Sequence, residues 1–222
     1  MRQIIKNKQK NKSFSIKGIE VMIVDPINDN INIKSVLNKC LKQVPSHLLT
    51  NLDVIYIGQF KHLIDRQVQA IYKDSSIFMT NHQVDEQDMV DDIIHEIAHS
   101  VEEIYKSEIY SDNSLRREFL SKRKALWALL KQEGFELELN YFLETEYNDQ
   151  FDNFLHMEVG YPMLSMITSG LFYSPYGATC LREYFANGFE AFFTKDDIYR
   201  IKKTSPHLYE KLVFLSEKEN FI

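Results

Sequence analysis

The spacing of apolar and polar residues predicts strands in the first part of the chain and helices in the rest. A β-branched run over residues 17–26 ends at an Asp-Pro pair, as a strand does before a turn. Apolar residues then recur at helical spacing over 33–44, where Pro45 ends the pattern. Residues 52–60 form a second β-branched run. These segments predict a strand, a helix and a strand in that order.

Two short strands and a series of helices are predicted to follow. Residues 67–80 contain two apolar runs about a Lys-Asp-Ser turn, and Asp85 is placed as the N-cap of a long helix over 86–105. Residues 135–174 predict no single element. Helical spacing returns in four later segments, 114–133, 179–195, 196–203 and 206–217. Strands first and helices afterwards predict an α+β fold with a mostly helical C-terminal lobe.

No internal repeat or flexible linker divides the chain after residue 17. Its 222 residues, of which 44% are apolar, are enough for one sizeable hydrophobic core. We therefore expect a single domain over residues 18–222. Within it, we expect an N-lobe of about 18–107 and a C-lobe of about 108–222.

The formal charge of −6 is unevenly distributed along the chain. Six of the 26 basic residues lie within residues 1–17, which contain no acidic residue, so the remaining chain has 20 basic and 32 acidic residues. An acidic body argues against nucleic-acid binding over most of the protein. The basic segment 1–17 is predicted to be a disordered tail.

Cysteine content and hydropathy favour an intracellular protein. Cys40 and Cys180 stand 140 positions apart and do not indicate a disulfide framework. No apolar run reaches the roughly 20 residues of a membrane-spanning helix. The N-terminus also lacks the apolar segment of a secretory signal. We expect a cytoplasmic or otherwise intracellular protein that does not bind membranes, while export without a leader and the oligomeric state stay open.

Residues 95–99 read HEIAH, which matches the H-E-x-x-H metal-binding motif. On a helix, positions i and i+4 lie one turn apart on one face, so His95 and His99 can bind one zinc ion. Glu96 lies beside them and can deprotonate a water held by that ion. The predicted helix has a separate apolar side, formed by Met89, Val90, Ile93, Ile94, Ile97, Val101 and Ile104.

A catalytic zinc ion normally has three protein ligands and one open position. Glu103 on the same helix stands eight positions from His95, about 12 Å along the axis, and cannot share the ion. The metzincin continuation H-x-x-G-x-x-H is absent, because positions 102 and 105 are Glu and Tyr. The third ligand is therefore expected on another helix.

Glu183 is the best candidate for the third ligand. It is followed by Phe185, Ala186 and Phe189 at helical spacing, which predicts a helix with a large apolar face. Other downstream acids stay open at this point: Glu136, Glu138, Glu144, Glu146, Glu158 and, on the same Phe-rich helix, Glu190.

HEIAH and the later segment YGATCLREYFANGFEAFF together resemble the gluzincin domain of the anthrax lethal factor type, a family that includes the clostridial Pro-Pro endopeptidases. Family members carry a Y-x6-E-[FY]-F-A-E-x-F segment, whose tyrosine falls here on Tyr176 and whose glutamate falls on Glu183. The resemblance implies a zincin-like fold with a small N-terminal mixed sheet. It also implies one Zn²⁺ per chain, held by His95, His99 and Glu183.

The resemblance further implies a zinc endopeptidase that hydrolyses a peptide bond by a zinc-activated water. Glu96 would act as general base, and the Tyr176 hydroxyl would stabilise the oxyanion. The substrate would be a peptide or protein segment in extended form, paired with an exposed strand over 68–72. The alternative is a zinc-stabilised interaction module of the same fold with weak catalysis or none. The presence of both Glu96 and Tyr176 favours the enzyme.

Two features depart from the family pattern. Asn187 stands where family members usually have an acid, and an amide oxygen raises the basicity of a ligand imidazole less than a carboxylate does. Glu183 also lies 84 positions after His99, a longer interval than in compact members. The additional segment 140–173 is a candidate lid, specificity element or docking surface.

Overall fold

The chain forms a five-stranded mixed sheet and a mostly helical remainder, in a computed structural model that describes residues 12–195 and 198–218. The sheet order is β1-β2-β3-β5-β4, in which β2, β3 and β5 are parallel neighbours and the two outer pairs are antiparallel. The strands are β1 (Lys12–Ile16), β2 (Ile19–Ile23), β3 (Val54–Ile57), β4 (Ala70–Lys73) and β5 (Ser76–Met79). The predicted α+β class and small mixed sheet are confirmed.

Both outer strand pairs are hairpins closed by two-residue turns. Lys17 and Gly18 have φ of 50° and 87°, and Asp74 and Ser75 have φ of 50° and 56°. Left-handed backbone at both central residues is typical of the type I′ turn, whose twist matches that of the strands it joins. The second hairpin confirms the turn predicted within 67–80 and leaves β4 at one edge of the sheet.

Two helices accompany the sheet strands. Helix α1 (Ile33–Gln43) confirms the helix predicted over 33–44. It connects β2 to β3, which are parallel and so need a crossover connection. Helix α2 (Lys61–Arg66) follows β3 and was not apparent from the apolar spacing, because it has only six residues. The strands and α1 together supply a buried apolar core that includes Val21, Ile55, Ile77, Val36, Leu37, Cys40 and Leu41.

Helix α3 (Glu86–Tyr110) carries the H-E-x-x-H motif. Asp85 Oδ1 accepts the backbone N–H groups of Gln87 at 2.7 Å and Asp88 at 3.0 Å, which confirms Asp85 as the N-cap. The backbone leaves helical geometry at Tyr105, with φ −100° and ψ 21°, where the predicted helix ends. Helical structure then resumes for one further turn.

The described residues divide into two compact units, and the boundary lies inside α3. The first unit contains the chain up to Leu41 together with Leu52–Ile93, and the second contains Lys42–Asn51 and the chain from Ile94 onward. The first two turns of α3 therefore belong with the sheet, whereas the turns bearing the motif belong with the later helices. This boundary, between Ile93 and Ile94, lies earlier in the chain than the lobe boundary predicted near residue 107. Helix α3 contributes residues to both units.

The second unit is helical and its core is rich in phenylalanine. Its main helices are α4 (Ser114–Gln132), α5 (Leu139–Leu143), α6 (Asp149–Asn153), α7 (Tyr161–Ile167), α8 (Leu181–Thr194), α9 (Ile198–Thr204) and α10 (Pro206–Glu217). Short 3₁₀ helices at Ser46–Leu49 and Pro175–Ala178 and a π-helix at Phe154–Val159 complete it. Within the described ranges, no helix is both long and apolar enough to cross a membrane.

One expectation needs correction. Lys12–Ile16 is a strand, so the tail predicted over 1–17 is wrong from residue 12 onward; pairing with β2 orders this segment. Residues 1–11 lie outside the described residues. The segment 140–173, for which no single element was predicted, contains short helices that bury aromatic residues such as Phe142 and Phe151. The helix predicted over 196–203 begins at Ile198, and residues 196–197 lie outside the described residues.

Gly188 allows a close approach between α8 and α10. A Cβ atom at this position would overlap Leu208 Cδ2 and lie 3.0 Å from Leu208 Cγ. Gly188→Ala is therefore expected to lower the free energy of unfolding by about 1–3 kcal/mol, although alanine is the better helix former. Urea unfolding of the single and the Gly188→Ala/Leu208→Ala variants measures this effect. Gly188→Ala should lower the free energy of unfolding less in the Leu208→Ala background than in the wild type. An equal loss in both backgrounds would contradict the close approach.

Candidate metal centre

The motif places two histidines and one glutamate together on α3. His95 and His99 lie one turn apart, with ring centroids 5.2 Å apart and planes at 78°. Glu96 between them is only 8% exposed. Candidate ligand atoms of His95, Glu96 and His99 all lie within 4.8 Å of one another. This cluster could hold a metal ion.

Glu183 lies in the first turn of α8 and faces both imidazoles. Its Oε2 lies 2.9 Å from His95 Nε2, and its Oε1 lies 3.6 Å from His99 Nε2. A tetrahedral zinc ion with bonds of about 2.0–2.1 Å separates its ligand atoms by roughly 3.3 Å. The spacing of the three side chains is therefore close to that of a histidine–histidine–carboxylate ligand set.

The other nitrogen of each ring is held by a second carboxylate. Glu190 Oε2 lies 3.1 Å from His95 Nδ1, and Glu102 Oε2 lies 2.8 Å from His99 Nδ1. A carboxylate that accepts Nδ1–H fixes the tautomer and orientation of the ring. In both rings Nε2 is therefore the nitrogen on the side of Glu183, and it could bind an ion there in the tautomer that carries its proton on Nδ1.

Glu102 is itself held in place. The Tyr110 hydroxyl donates a hydrogen bond to Glu102 Oε1, and Arg182 Nε donates one to Oε2 at 3.3 Å. The side chain of Glu102 is buried, so an ionised carboxylate here requires such donors. Burial, followed by the negative charge of Glu102, raises the pKa of Tyr110 and keeps its hydroxyl a donor.

The cluster favours positive charge at its centre. Burial opposes protonation of the histidines, but the hydrogen bonds that Glu183 and Glu190 accept from His95 raise its pKa to about 10. Burial acts in the same way on His99, where Glu102 and Glu183 raise the pKa to about 9. Burial raises the pKa of Glu183, yet the two imidazoles outweigh it and the net shift is downward. Protons or a divalent cation can supply the charge that these carboxylates require.

Tyr176 lies beside this cluster on the 3₁₀ helix that precedes α8. Its ring centroid is 6.0 Å from that of His95, and the residue is 37% exposed. Burial, followed by the charge of Glu183, raises the pKa of Tyr176, so its hydroxyl stays protonated near neutral pH. The structure thus brings Tyr176 together with His95, His99, Glu96 and Glu183, and offers a phenol donor next to the cluster.

Asn187 does not contact the imidazoles in the way that its sequence position suggested. Its Oδ1 accepts a hydrogen bond from Ser174 Oγ at 2.8 Å and lies against Gly177. The carboxylate on His95 comes instead from Glu190, seven positions after Glu183 and two turns further along the same face of α8. Asn187 therefore supports the segment before α8.

Two of these acids were not assigned from the sequence. Besides Glu96, the two imidazoles have three acids among the described residues whose carboxylate oxygens lie within 4 Å of a ring nitrogen: Glu102, Glu183 and Glu190. Glu190 was an open candidate for the third ligand, but the structure places it on Nδ1, away from Glu183. Glu102 stands three positions after His99, a spacing that puts both on one helix face and that could have indicated the contact.

Glu190→Gln is expected to weaken Zn²⁺ binding by about 10–100-fold, because a neutral amide holds the His95 Nδ1–H less strongly than a carboxylate does. Competition with a chromophoric chelator measures the affinity. Glu136→Gln removes an exposed acid from a loop and serves as the control, which should bind Zn²⁺ like the wild type. Equal affinities for the two variants would contradict the role of Glu190.

The sequence matches no protein-family model, and neither a curated protein nor a solved structure is significantly similar to it. The residues themselves point most directly to a function in one group of three side chains on two helices, in which His95 and His99 face Glu183.

Proposed function

We propose that the protein is a zinc endopeptidase of the gluzincin type, with a zincin-like fold similar to that of the lethal factor family. The observation that carries this proposal is the arrangement of the two imidazoles. Both Nε2 atoms of an H-E-x-x-H helix face one carboxylate, while both Nδ1 atoms are held by others. In this proposal His95, His99 and Glu183 would hold one Zn²⁺ per chain.

The donor set fits zinc. Two imidazole nitrogens and one carboxylate oxygen form one of the ligand sets of catalytic zinc sites, and they leave a fourth position open. Glu183 is assigned as ligand in preference to Glu96, because Glu183 contacts the Nε2 atoms of both rings. Glu96 follows His95 directly on the helix and so projects about 100° away from it. This direction suits a group that acts beside the ion.

When bound, the ion supplies Lewis acidity to a water molecule and to the scissile carbonyl. Glu96 accepts the proton of the attacking water and delivers it to the leaving amine. Glu96 is buried, and a candidate ligand atom of its carboxylate lies within 4.8 Å of those of His95 and His99. A carboxylate in this position can make both transfers without a further acid from another part of the chain.

The Tyr176 hydroxyl donates a hydrogen bond to the oxyanion that forms during attack. It retains its proton near neutral pH, because burial and the charge of Glu183 disfavour the phenolate. Partial exposure of the ring leaves it accessible to a substrate. An oxyanion donor is effective because its bond strengthens as the negative charge develops.

The proposed substrate is a peptide or protein segment in extended form. Strand β4 pairs only with β5 among the described strands, and so offers an edge to which an extended peptide can add. This edge strand, Ala70–Lys73, overlaps the exposed strand predicted over 68–72. Backbone hydrogen bonds to β4 would not discriminate between peptide sequences, so contacts with the peptide's side chains would determine the cleavage site.

The direct test is proteolysis of a peptide library, with zinc content measured on each protein. The wild type should hold one zinc per chain and cleave peptides, whereas Glu96→Gln should keep the zinc and lose turnover, because Glu96 transfers protons without binding the ion. Glu103→Gln changes an exposed acid on the same helix and should retain both properties. A wild type that binds zinc without cleaving any peptide would favour the interaction module.

Tyr176→Phe should lower kcat by about 10²-fold or more, with little change in KM, zinc content or melting temperature, because it removes a donor that acts mainly in the transition state. Steady-state kinetics on a cleaved peptide measures the effect. Tyr199→Phe alters a highly exposed tyrosine and should turn over like the wild type. A wild-type rate for Tyr176→Phe would remove Tyr176 from the mechanism.

A further inference from the structure

Helix α4 carries two adjacent buried cations, Lys122 and Arg123. The guanidinium of Arg123 belongs to a residue that is only 1% exposed, and Lys122 is also buried. Burial lowers the pKa of Arg123 to about 9 and that of Lys122 to about 8. Burial of a cation is costly unless its donors are satisfied. The groups that accept hydrogen bonds from Lys122 and Arg123 therefore show which segments each side chain holds together.

Arg123 binds backbone carbonyl groups from two segments. Its Nη1 donates to Ala178 O at 2.8 Å and to Thr179 O at 2.9 Å, and its Nη2 donates to Tyr141 O. The guanidinium stacks on Phe151, with 3.7 Å between Cζ and the ring centroid. The planar fork thus joins the α5 segment to the residues that connect the 3₁₀ helix to α8.

One of the residues that Arg123 holds, Thr179, is hydrogen-bonded in turn to Tyr176. Thr179 donates to the carbonyl oxygen of Tyr176 through its backbone N–H at 3.0 Å and through its hydroxyl at 2.8 Å. A single 3₁₀ turn has little stability of its own, so contacts from outside must fix it. This short turn therefore links Ala178 and Thr179, whose carbonyl groups accept from Arg123, to Tyr176.

We propose that Arg123 is a positioning residue for the Tyr176 hydroxyl. It touches no reacting atom, and it fixes the turn from which the phenol projects. The inference rests on the proposed peptidase function and adds a residue that neither the motif nor the resemblance includes. Lysine in place of Arg123 keeps the charge but lacks the planar fork, and so cannot hold the carbonyl groups of both segments in the same way.

The test is a double-mutant cycle between positions 123 and 176 in the full chain, with kcat and KM measured on a cleaved peptide. Arg123→Lys should lower kcat about 10–100-fold, with KM and Zn²⁺ affinity close to those of the wild type. In a Tyr176→Phe background it should lower kcat no further, because no hydroxyl is left to position. A purely structural role would reduce kcat by the same factor in both backgrounds.

Lys122→Met provides the matched control. Lys122 is the adjacent buried cation of the same helix, but it donates to Leu171 O, Thr204 O and Ser205 Oγ, away from the Tyr176 turn. Its effect on kcat, measured below the melting temperature of every variant, should be equal in the wild-type and Tyr176→Phe backgrounds. Coupling as strong for Lys122 as for Arg123 would overturn the proposal.

Thr179→Val keeps the experiment decisive if Arg123→Lys fails to fold. The substitution removes only the hydroxyl that donates to the Tyr176 carbonyl, and it should show the same loss of effect in the Tyr176→Phe background. Equal effects of Thr179→Val or Arg123→Lys in both backgrounds, with an active wild type, would overturn the positioning role alone. A wild type without peptidase activity would overturn the proposed function and this inference with it.

Discussion

The arrangement of the helices in the second unit depends on one contact, in which the Glu183 carboxylate lies against the imidazoles of His95 and His99 in a largely buried site. Glu183 lies between the Nε2 atoms of His95 and His99, so α8 must present its first turn to the middle of α3. Buried groups of this kind are tolerated only when opposite charges and hydrogen bonds compensate for lost hydration. The helices around the cluster are therefore constrained in position as well as in orientation.

An outer set of polar groups satisfies the parts of the cluster that face away from its centre. Glu102 and Glu190 hold the imidazoles, and Tyr110 and Arg182 hold Glu102. The same helix α8 also buries Phe185, Phe189 and Phe193 in the aromatic core of the second unit. The polar network specifies the geometry, and the aromatic core stabilises it, so each would be ineffective without the other.

The sequence predicted those features that depend on local spacing. One helical turn between His95 and His99 is enough to place them together, and the hairpin between β4 and β5 follows from a short polar turn between apolar runs. The partnership of Glu190 with His95 depends on how two helices pack, which no spacing along the chain reveals. The order of residues 12–16 likewise depends on pairing with β2, and this tertiary contact overrides the basic composition of the segment.

The adjacent buried cations of α4 also restrict how that helix can slide. A core lined by phenylalanine alone tolerates small axial shifts and rotations, because one apolar contact can replace another. Lys122 and Arg123 end in head groups of different shape, and each fits its own set of carbonyl groups. A shift by one residue in one direction would bring the ammonium of Lys122 to the site built for a fork, and a shift in the other direction would bring the fork of Arg123 to the site built for an ammonium. Lys122 and Arg123 together therefore fix the axial position of α4 against the segments that they contact.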